Sequence, residues 1–338
     1  MHTPSLDQPV GEDAPILRVG PELLPDAARR LVPQRAHDPA AASRRFLDNA
    51  RAHGLDLSLI WACIDRPGSA RQAVRQAILA VPGSGRTAAL FLSEPPVGGD
   101  PDPSAATRDR MRLLDHVCDW FARHMPERVR LAQMLPEPRD AWASQALHAA
   151  RFLFVGSLSY LRRPARLLEF ERGLPSQPDW PPGVRVERFD QHPDRDAAEH
   201  DLIRALDRSY IRTLDCPELC GLRPTRDILE SHRATGVWDP ALWWTVYHDD
   251  QPEGCLLMAR CPQTVSSELV YLGLSPSLRG RGIGSRLLAM GLRAVCTGPS
   301  PGIEIVCAVD RRNAPALRLY ERAGFRPFAE RVAFVRPL

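Results

Sequence analysis

Between residues 275 and 290 the chain reads SPSLRGRGIGSRLLAM. Glycines 280, 282 and 284 alternate with larger residues just ahead of a helical pattern. Ile283, Leu287, Leu288, Leu292 and Val295 recur at the spacing of one helix face. The first N–H groups of a helix have no partner inside it, and the helix dipole favours negative charge beside them. Glycines remove the Cβ atoms that would hold an anion away. The stretch predicts a phosphate or pyrophosphate cradle at a helix start.

Two common cradles fit poorly. A nucleoside-triphosphate loop needs a lysine after its last glycine, and all 44 basic residues here are arginine. The same absence excludes a lysine Schiff base. A dinucleotide-binding turn opens a βαβ unit and pairs with an acid at the end of the next strand. Gly280, Gly282 and Ser285 nearly fit that pattern. Glu304, however, falls inside the apolar strand IEIV, and the loop follows a run that reads as antiparallel.

Bulk properties narrow the class further. At 338 residues the chain is long enough for two domains of ordinary size. A net charge of +3 with 44% hydrophobic residues is a soluble globular composition. It supplies no clustered basic surface, so no nucleic acid is expected as a partner. No apolar run approaches the roughly 20 residues that span a bilayer, so no membrane partner is expected either. The eight cysteines are scattered through apolar segments, as in a reduced, cytoplasmic protein. Cys216 and Cys220 form the one close pair, with His232 the only nearby further ligand. A zinc site needs more, so no metal is expected.

The elements that must position the loop fall into two units. Residues 1–14 read as a disordered lead without the apolar core of a signal peptide. A first unit spans 15–165. It runs helix, buried strand, two strands joined at Gly83–Gly85, the helix TRDRMRLLDHVCDWFARHM, a strand, a short helix near 140–150 and the strand FVGSLSYLRR. Prolines 175, 178, 181 and 182 mark a linker over 166–183. A second unit, 184–338, starts with strand VRVERF, helices across 194–234 and two strands meeting near Gln251. It continues with strand SELVYLGLS, the glycine loop and its helix, strand GIEIVCAVD, helix NAPALRLYERA and a last strand. The fold class is α/β in the α+β sense, with a mostly antiparallel front. A weak internal repeat aligns Phe152 with Phe325, and with them Leu147 with Tyr320 and Arg151 with Gly324. Two tandem copies of one fold are expected.

The loop residues Arg279, Gly282 and Gly284 match the pyrophosphate loop of acyl-CoA-dependent acyltransferases. With VYLGLSPSLRGRGIGSRLL and VDRRNAPALRLYERAGFRPF beside it, the chain resembles the GNAT N-acyltransferase superfamily over residues 268–328. The resemblance implies a GNAT-like fold for each unit and acetyl-CoA as co-substrate. It implies direct transfer of an acetyl group to a primary amine, most simply that of a small molecule. A peptide or protein N-terminus is the alternative acceptor, and a non-catalytic acyl-CoA sensor the alternative role. The implied CoA-binding set is Leu272, Gly273, Leu274, Arg279, Gly280, Arg281, Gly282, Ile283, Gly284, Ser285, Asn313, Ala316 and Tyr320. Tyr320 matches the family's tyrosine that protonates the departing thiolate. Glu268 stands where several members carry the base that deprotonates the amine, and a main-chain N–H near Gly273 would stabilise the oxyanion.

The acceptor pocket is expected between the helices of 200–234, where Tyr210, Asp215, Glu218 and Arg223 would read polar groups. Trp238, Trp243 and Trp244 are expected mainly as packing. The first unit lacks this chemistry. Asp100 and Asp102 stand where a pyrophosphate would bind, and Leu147 replaces the tyrosine. A degenerate structural copy is expected there.

Overall fold

The computed structural model describes residues 14–35, 37–65, 73–175, 178–298 and 302–338. The expected disordered lead lies outside these residues except for Ala14, which is buried in a core. The first half contains β1 (Ile16–Arg18), α1 (Leu24–Leu31), α2 (Pro39–Ala52), β2 (Ile60–Ile64), β3 (Val74–Gly83) and β4 (Thr87–Leu92). It continues with α3 (Pro103–His124), β5 (Leu131–Met134), α4 (Ala141–Ala149) and β6 (Leu153–Pro164). The stretch expected as a linker carries the short α5 (Glu169–Arg172), whose Glu171 is fully buried against Arg163.

The second half opens with β7 (Val184–Arg188), α6 (Arg195–Tyr210), α7 (Thr225–Arg233), β8 (Trp243–His248) and β9 (Gln251–Cys261). It closes with β10 (Ser266–Leu274), α8 (Ile283–Thr297), β11 (Glu304–Asp310), α9 (Ala314–Arg322) and β12 (Arg326–Pro337). The β8–β9 turn falls on Asp249 and Asp250, both at positive φ, the twist a tight hairpin requires.

All the strands among the described residues join one 12-stranded sheet in the order β1-β2-β3-β4-β5-β12-β6-β11-β10-β9-β8-β7. The halves exchange their last strands. β12 hydrogen-bonds to β5 and β6, while β6 lies between β12 and β11. Packing follows the exchange. Leu161 of β6 sits in the core of the second half, and Phe334 of β12 in that of the first.

The repeat is visible in matching local geometry. The Phe152 N–H bonds the Leu147 carbonyl at 2.9 Å, and the Phe325 N–H bonds the Tyr320 carbonyl at 3.0 Å. Between each pair the chain turns left-handed, at Arg151 (φ 60°) and at Gly324 (φ 85°). Glycine adopts this conformation freely, whereas arginine does so at a cost.

In each half two strands run parallel for a short distance and then part. β4 pairs β5 only from Thr87–Ala89 against Leu131–Gln133. β10 pairs β11 only from Ser266–Glu268 against Glu304–Val306. The parted ends leave backbone groups unpaired beside a helix start, and this is where the site lies.

Candidate active site

A cleft of about 620 Å³ opens at the fork of β10 and β11, under the start of α8 and the face of α9. Its walls include Leu272, Gly273, Leu274, Arg279, Gly280, Gly282, Gly284, Ser285, Asn313, Ala316 and Tyr320. The loop ahead of α8 turns through Gly280 (φ 75°) and Gly282 (φ 77°), a conformation costly for any residue with a Cβ. A Cβ on either would meet no protein atom within 4 Å. At Gly284 it would touch only Leu319 and Leu274, at ordinary distances of 3.8 and 3.9 Å. The glycines thus keep open space rather than relieve a clash within the protein.

Gly282 is the N-cap of α8, and among the described residues no side-chain hydrogen bond caps the helix. The first N–H groups of α8 therefore face the cleft together with the positive end of its dipole. The corresponding helix of the first half differs. Asp102 caps α3 by accepting the Ala105 N–H at 3.0 Å, and Asp100 pairs with the buried Arg110 at 2.8 Å. That helix start is already satisfied by the chain itself.

Arg279 lines the cleft, and its side chain is turned to the protein's own backbone. Its guanidinium donates to the carbonyls of Leu274 (2.9 Å), Arg212 (2.9 Å) and Ser209 (2.8 Å). It staples the loop to the end of α6, and its side chain is occupied by backbone. Ile283 is fully buried and anchors the start of α8 in the core. Arg281 is exposed and outside the cleft walls. Asn313 caps α9 by accepting the Ala316 N–H at 3.2 Å.

Tyr320 reaches the cleft from α9, its ring 5.7 Å from Phe325. Burial raises its phenol well above the ordinary value, and the nearby Cys307 and Asp215 add to the shift. Its hydroxyl therefore keeps its proton at neutral pH. Glu268 is the last residue of β10 paired to β11, at the closed end of the fork. It is half-buried and outside the cleft walls, and burial alone raises its carboxyl.

Of the residues expected to read the acceptor, Asp215 lines the cleft. Its Oδ1 accepts the Asp310 N–H at 2.7 Å, and burial raises its carboxyl. The other three are outside the cleft walls, each with a partner within the chain. Glu218 is held by Arg312 at 2.6 Å. Arg223 donates to the Gly85 carbonyl of the first half at 2.8 Å. Tyr210 packs edge-on against Tyr271. Trp243 and Trp244 are core residues of β8. Cys216 is buried and Cys220 exposed, and among the described residues no cluster could hold a metal ion. Among those residues, too, no helix is long and apolar enough to cross a membrane.

Sequence reasoning passed over Tyr271 and Ser209, which also line the cleft. The signal for Tyr271 was its place on the strand between Glu268 and Gly273. It passed over Arg318 and Arg322 as well, an i, i+4 arginine pair on α9 facing the same space.

Comparison with known proteins agrees with this geometry. Residues 239–327 match the model of an acetyltransferase (GNAT) domain. A mycothiol acetyltransferase of Beutenbergia cavernae is 36% identical over 95 residues, 27% of this chain and 31% of that protein. One of Thermomonospora curvata is 29% identical over 204 residues, 59% of this chain and 64% of that protein. The chain thus spans less than two thirds of the length of these relatives. A solved GCN5-related N-acetyltransferase from Sphaerobacter thermophilus shares the fold over 97% of this chain and 96% of its own. Its TM-score is 0.55 at 18% identity. The loop, the fork and the starts of α8 and α9 all lie within residues 239–327, the part of the chain that matches a GNAT acetyltransferase domain.

Proposed function

We propose that this protein transfers an acetyl group from acetyl-CoA to a primary amine, most simply that of a small molecule, by direct attack in a ternary complex. The observation that carries the reading is the uncapped start of α8. Behind Gly280, Gly282 and Gly284 it offers unpaired N–H groups and open space at the fork. A CoA pyrophosphate fits that chemistry, and the parted end of β10 gives the pantetheine arm backbone groups to pair with.

The reaction then needs three services. The amine must lose a proton, because only the neutral form attacks a thioester. Glu268, at the closed end of the fork and outside the cleft walls, takes it through water. The carbonyl oxygen gathers charge as the C–N bond forms, and a main-chain N–H near Gly273 stabilises it. The C–S bond breaks as Tyr320 donates its proton to the sulfur, and the second proton lost from the amine nitrogen restores the phenol. An ordinary thiol has a lower pKa than a phenol, so this transfer is concerted with departure of the thiolate. Asp215, a carboxylate in the cleft wall, suits a cationic acceptor. The name shared by the two relatives favours a small-molecule acceptor over a protein.

The test is CoA release from acetyl-CoA with a panel of amines and with a metabolite extract, comparing wild type with Tyr320→Phe. Turnover that the variant loses supports the reading. Binding of acetyl-CoA with no turnover on any amine favours a sensor, and absence of binding overturns the reading altogether.

A further inference from the structure

We propose that Tyr271 limits the length of acyl chain this site accepts, restricting it to acetyl and its nearest homologue. The inference rests on the acyl-transfer reading above and deepens it.

The argument begins with a slip in β10. Its register against β9 shifts between Leu269, opposite Met258, and Tyr271, opposite Leu257. Val270 is the extra residue, and such a bulge re-aims the side chains that follow it. Beyond it, Tyr271 and Gly273 alternate onto the same face of the strand. The phenol folds over Gly273 so closely that a Cβ there would lie 2.5 Å from the hydroxyl, 2.6 Å from Cε1 and 2.7 Å from Cζ. Glycine at 273 is what lets the ring lie along its own strand. Both residues line the cleft.

The ring is held on several sides. Its hydroxyl shares a 2.7 Å hydrogen bond with Ser209 Oγ on α6. Tyr210 meets it edge-on with centroids 5.9 Å apart, and His232 of α7 lies over it at 5.5 Å with a 30° interplanar angle. Burial lowers the His232 pKa to about 4, so the stacked imidazole is neutral at working pH. A ring held this way cannot swing aside without giving up its hydrogen bond and both ring contacts. If the thioester carbonyl is seated on the N–H groups near Gly273, the carbon chain leaves that point beside the phenol. An acetyl or propionyl chain fits there, and a longer one meets the ring. One methylene against a fixed wall discriminates by about 10-fold or more.

The experiment measures binding by calorimetry, using the full chain with free CoA, acetyl-CoA, propionyl-CoA, butyryl-CoA and hexanoyl-CoA. Wild type is expected to bind butyryl-CoA about 10-fold more weakly than acetyl-CoA, and hexanoyl-CoA more weakly still. Tyr271→Ala should bring all four acyl-CoAs within about 3-fold of one another. Tyr271→Phe, which keeps the ring, should retain the wild-type order. If circular dichroism shows that Tyr271→Ala is unfolded, Tyr271→Leu carries the same comparison. Equal wild-type binding of acetyl- and butyryl-CoA overturns the proposal, and so does a ratio unchanged in the truncated variant. Failure to bind free CoA overturns the acyl-transfer reading and this proposal with it, which separates the two failures.

Discussion

Arg86 grips Asp227 through two 2.9 Å hydrogen bonds, Nε to Oδ2 and Nη2 to Oδ1, joining the β3–β4 hairpin of the first half to α7 of the second. At the same tip Ser231 donates to the Ser84 carbonyl at 3.1 Å. A Cβ on Gly85 would collide with the Asp227 carbonyl oxygen and the Ser231 hydroxyl. Because α7 carries His232, which stacks on Tyr271, the first half braces one wall of the cleft. Arg86→Ala should raise KM for the amine several-fold and leave acetyl-CoA affinity within about 2-fold of wild type. Gly85→Val adds a backbone collision and a β-branched residue at φ 68°. It should cost about 2–5 kcal/mol in urea denaturation. Wild-type kinetics for Arg86→Ala would show that the brace does not reach the site.

The exchanged strands make a second prediction. Phe334 of β12, 1% exposed, packs against His148 and Phe154 with ring centroids 5.0 and 5.8 Å away. Phe334→Ala should cost about 3–5 kcal/mol, and Leu161→Ala, across the sheet in the other core, about 2–5. Both variants should still unfold in one transition, because each removes packing from the half opposite to its own place in the chain. Two transitions, with only one shifted, would contradict the exchange.

Gly282 and Gly284 separate folding from binding. Gly282 has φ 77°, so alanine there costs about 1–2 kcal/mol whatever the free space. Gly284 is in the first turn of α8 with room for a methyl group. Gly284→Ala should leave the ligand-free protein as stable as wild type, or up to about 1 kcal/mol more stable. Both variants place a methyl group in the cleft and should weaken acetyl-CoA binding by about 10-fold or more. A Gly284→Ala protein with wild-type affinity would move the pyrophosphate away from this helix start.

What could be read from the residues alone was governed by local rules. The glycine loop ahead of an apolar helix face and the helix NAPALRLYERA each follow from a few adjacent residues, and the structure shows both, as the loop before α8 and as α9. The role of the Arg279 side chain could not be read this way, because the Ser209 and Arg212 carbonyls it reaches are 70 and 67 residues distant. Arg86 and Asp227 are 141 residues apart. The strand exchange was hidden for another reason. Helix–turn–strand patterns before β6 and β12 are so alike that nothing local says which half's sheet each strand joins. Tyr271 was concealed by the bulge at Val270, which strict alternation does not anticipate.

Glu268 should trade stability for activity. Its carboxyl is raised in the fold by burial, so its protonated form is favoured there relative to the unfolded chain. The stability this gives is full below the unfolded pKa and is lost as pH rises through the folded pKa. Glu268→Gln keeps the neutral shape at every pH. Its denaturation midpoint should match wild type near pH 4 and exceed it at pH 8. If Glu268 takes the amine proton, the same variant should lose about 10²-fold or more in kcat. The wild-type kcat/KM should then rise with pH at a midpoint above the usual carboxylate range. A variant more stable at pH 8 with undiminished kcat would leave the burial account intact and assign the base elsewhere, with Asp215→Asn the next variant to measure.

Tyr320→Phe isolates the last chemical step. Burial and the neighbouring Cys307 and Asp215 hold the phenol above its ordinary value, so the hydroxyl keeps its proton across the whole range in which the protein works. Removing the oxygen alone leaves the ring packed on Phe325, and stability should change by no more than about 0.5 kcal/mol. Acetyl-CoA affinity should hold, because the sequence-matched loop and the start of α8 are untouched. The kcat should fall about 10²–10³-fold, as expected for loss of a general acid. A leaving group that needs no proton bypasses such an acid. With a thioester whose thiol is much more acidic than that of CoA, the variant should recover most of the lost rate. An unchanged deficit with that substrate would mean that Tyr320 shapes the cleft and does not donate the proton.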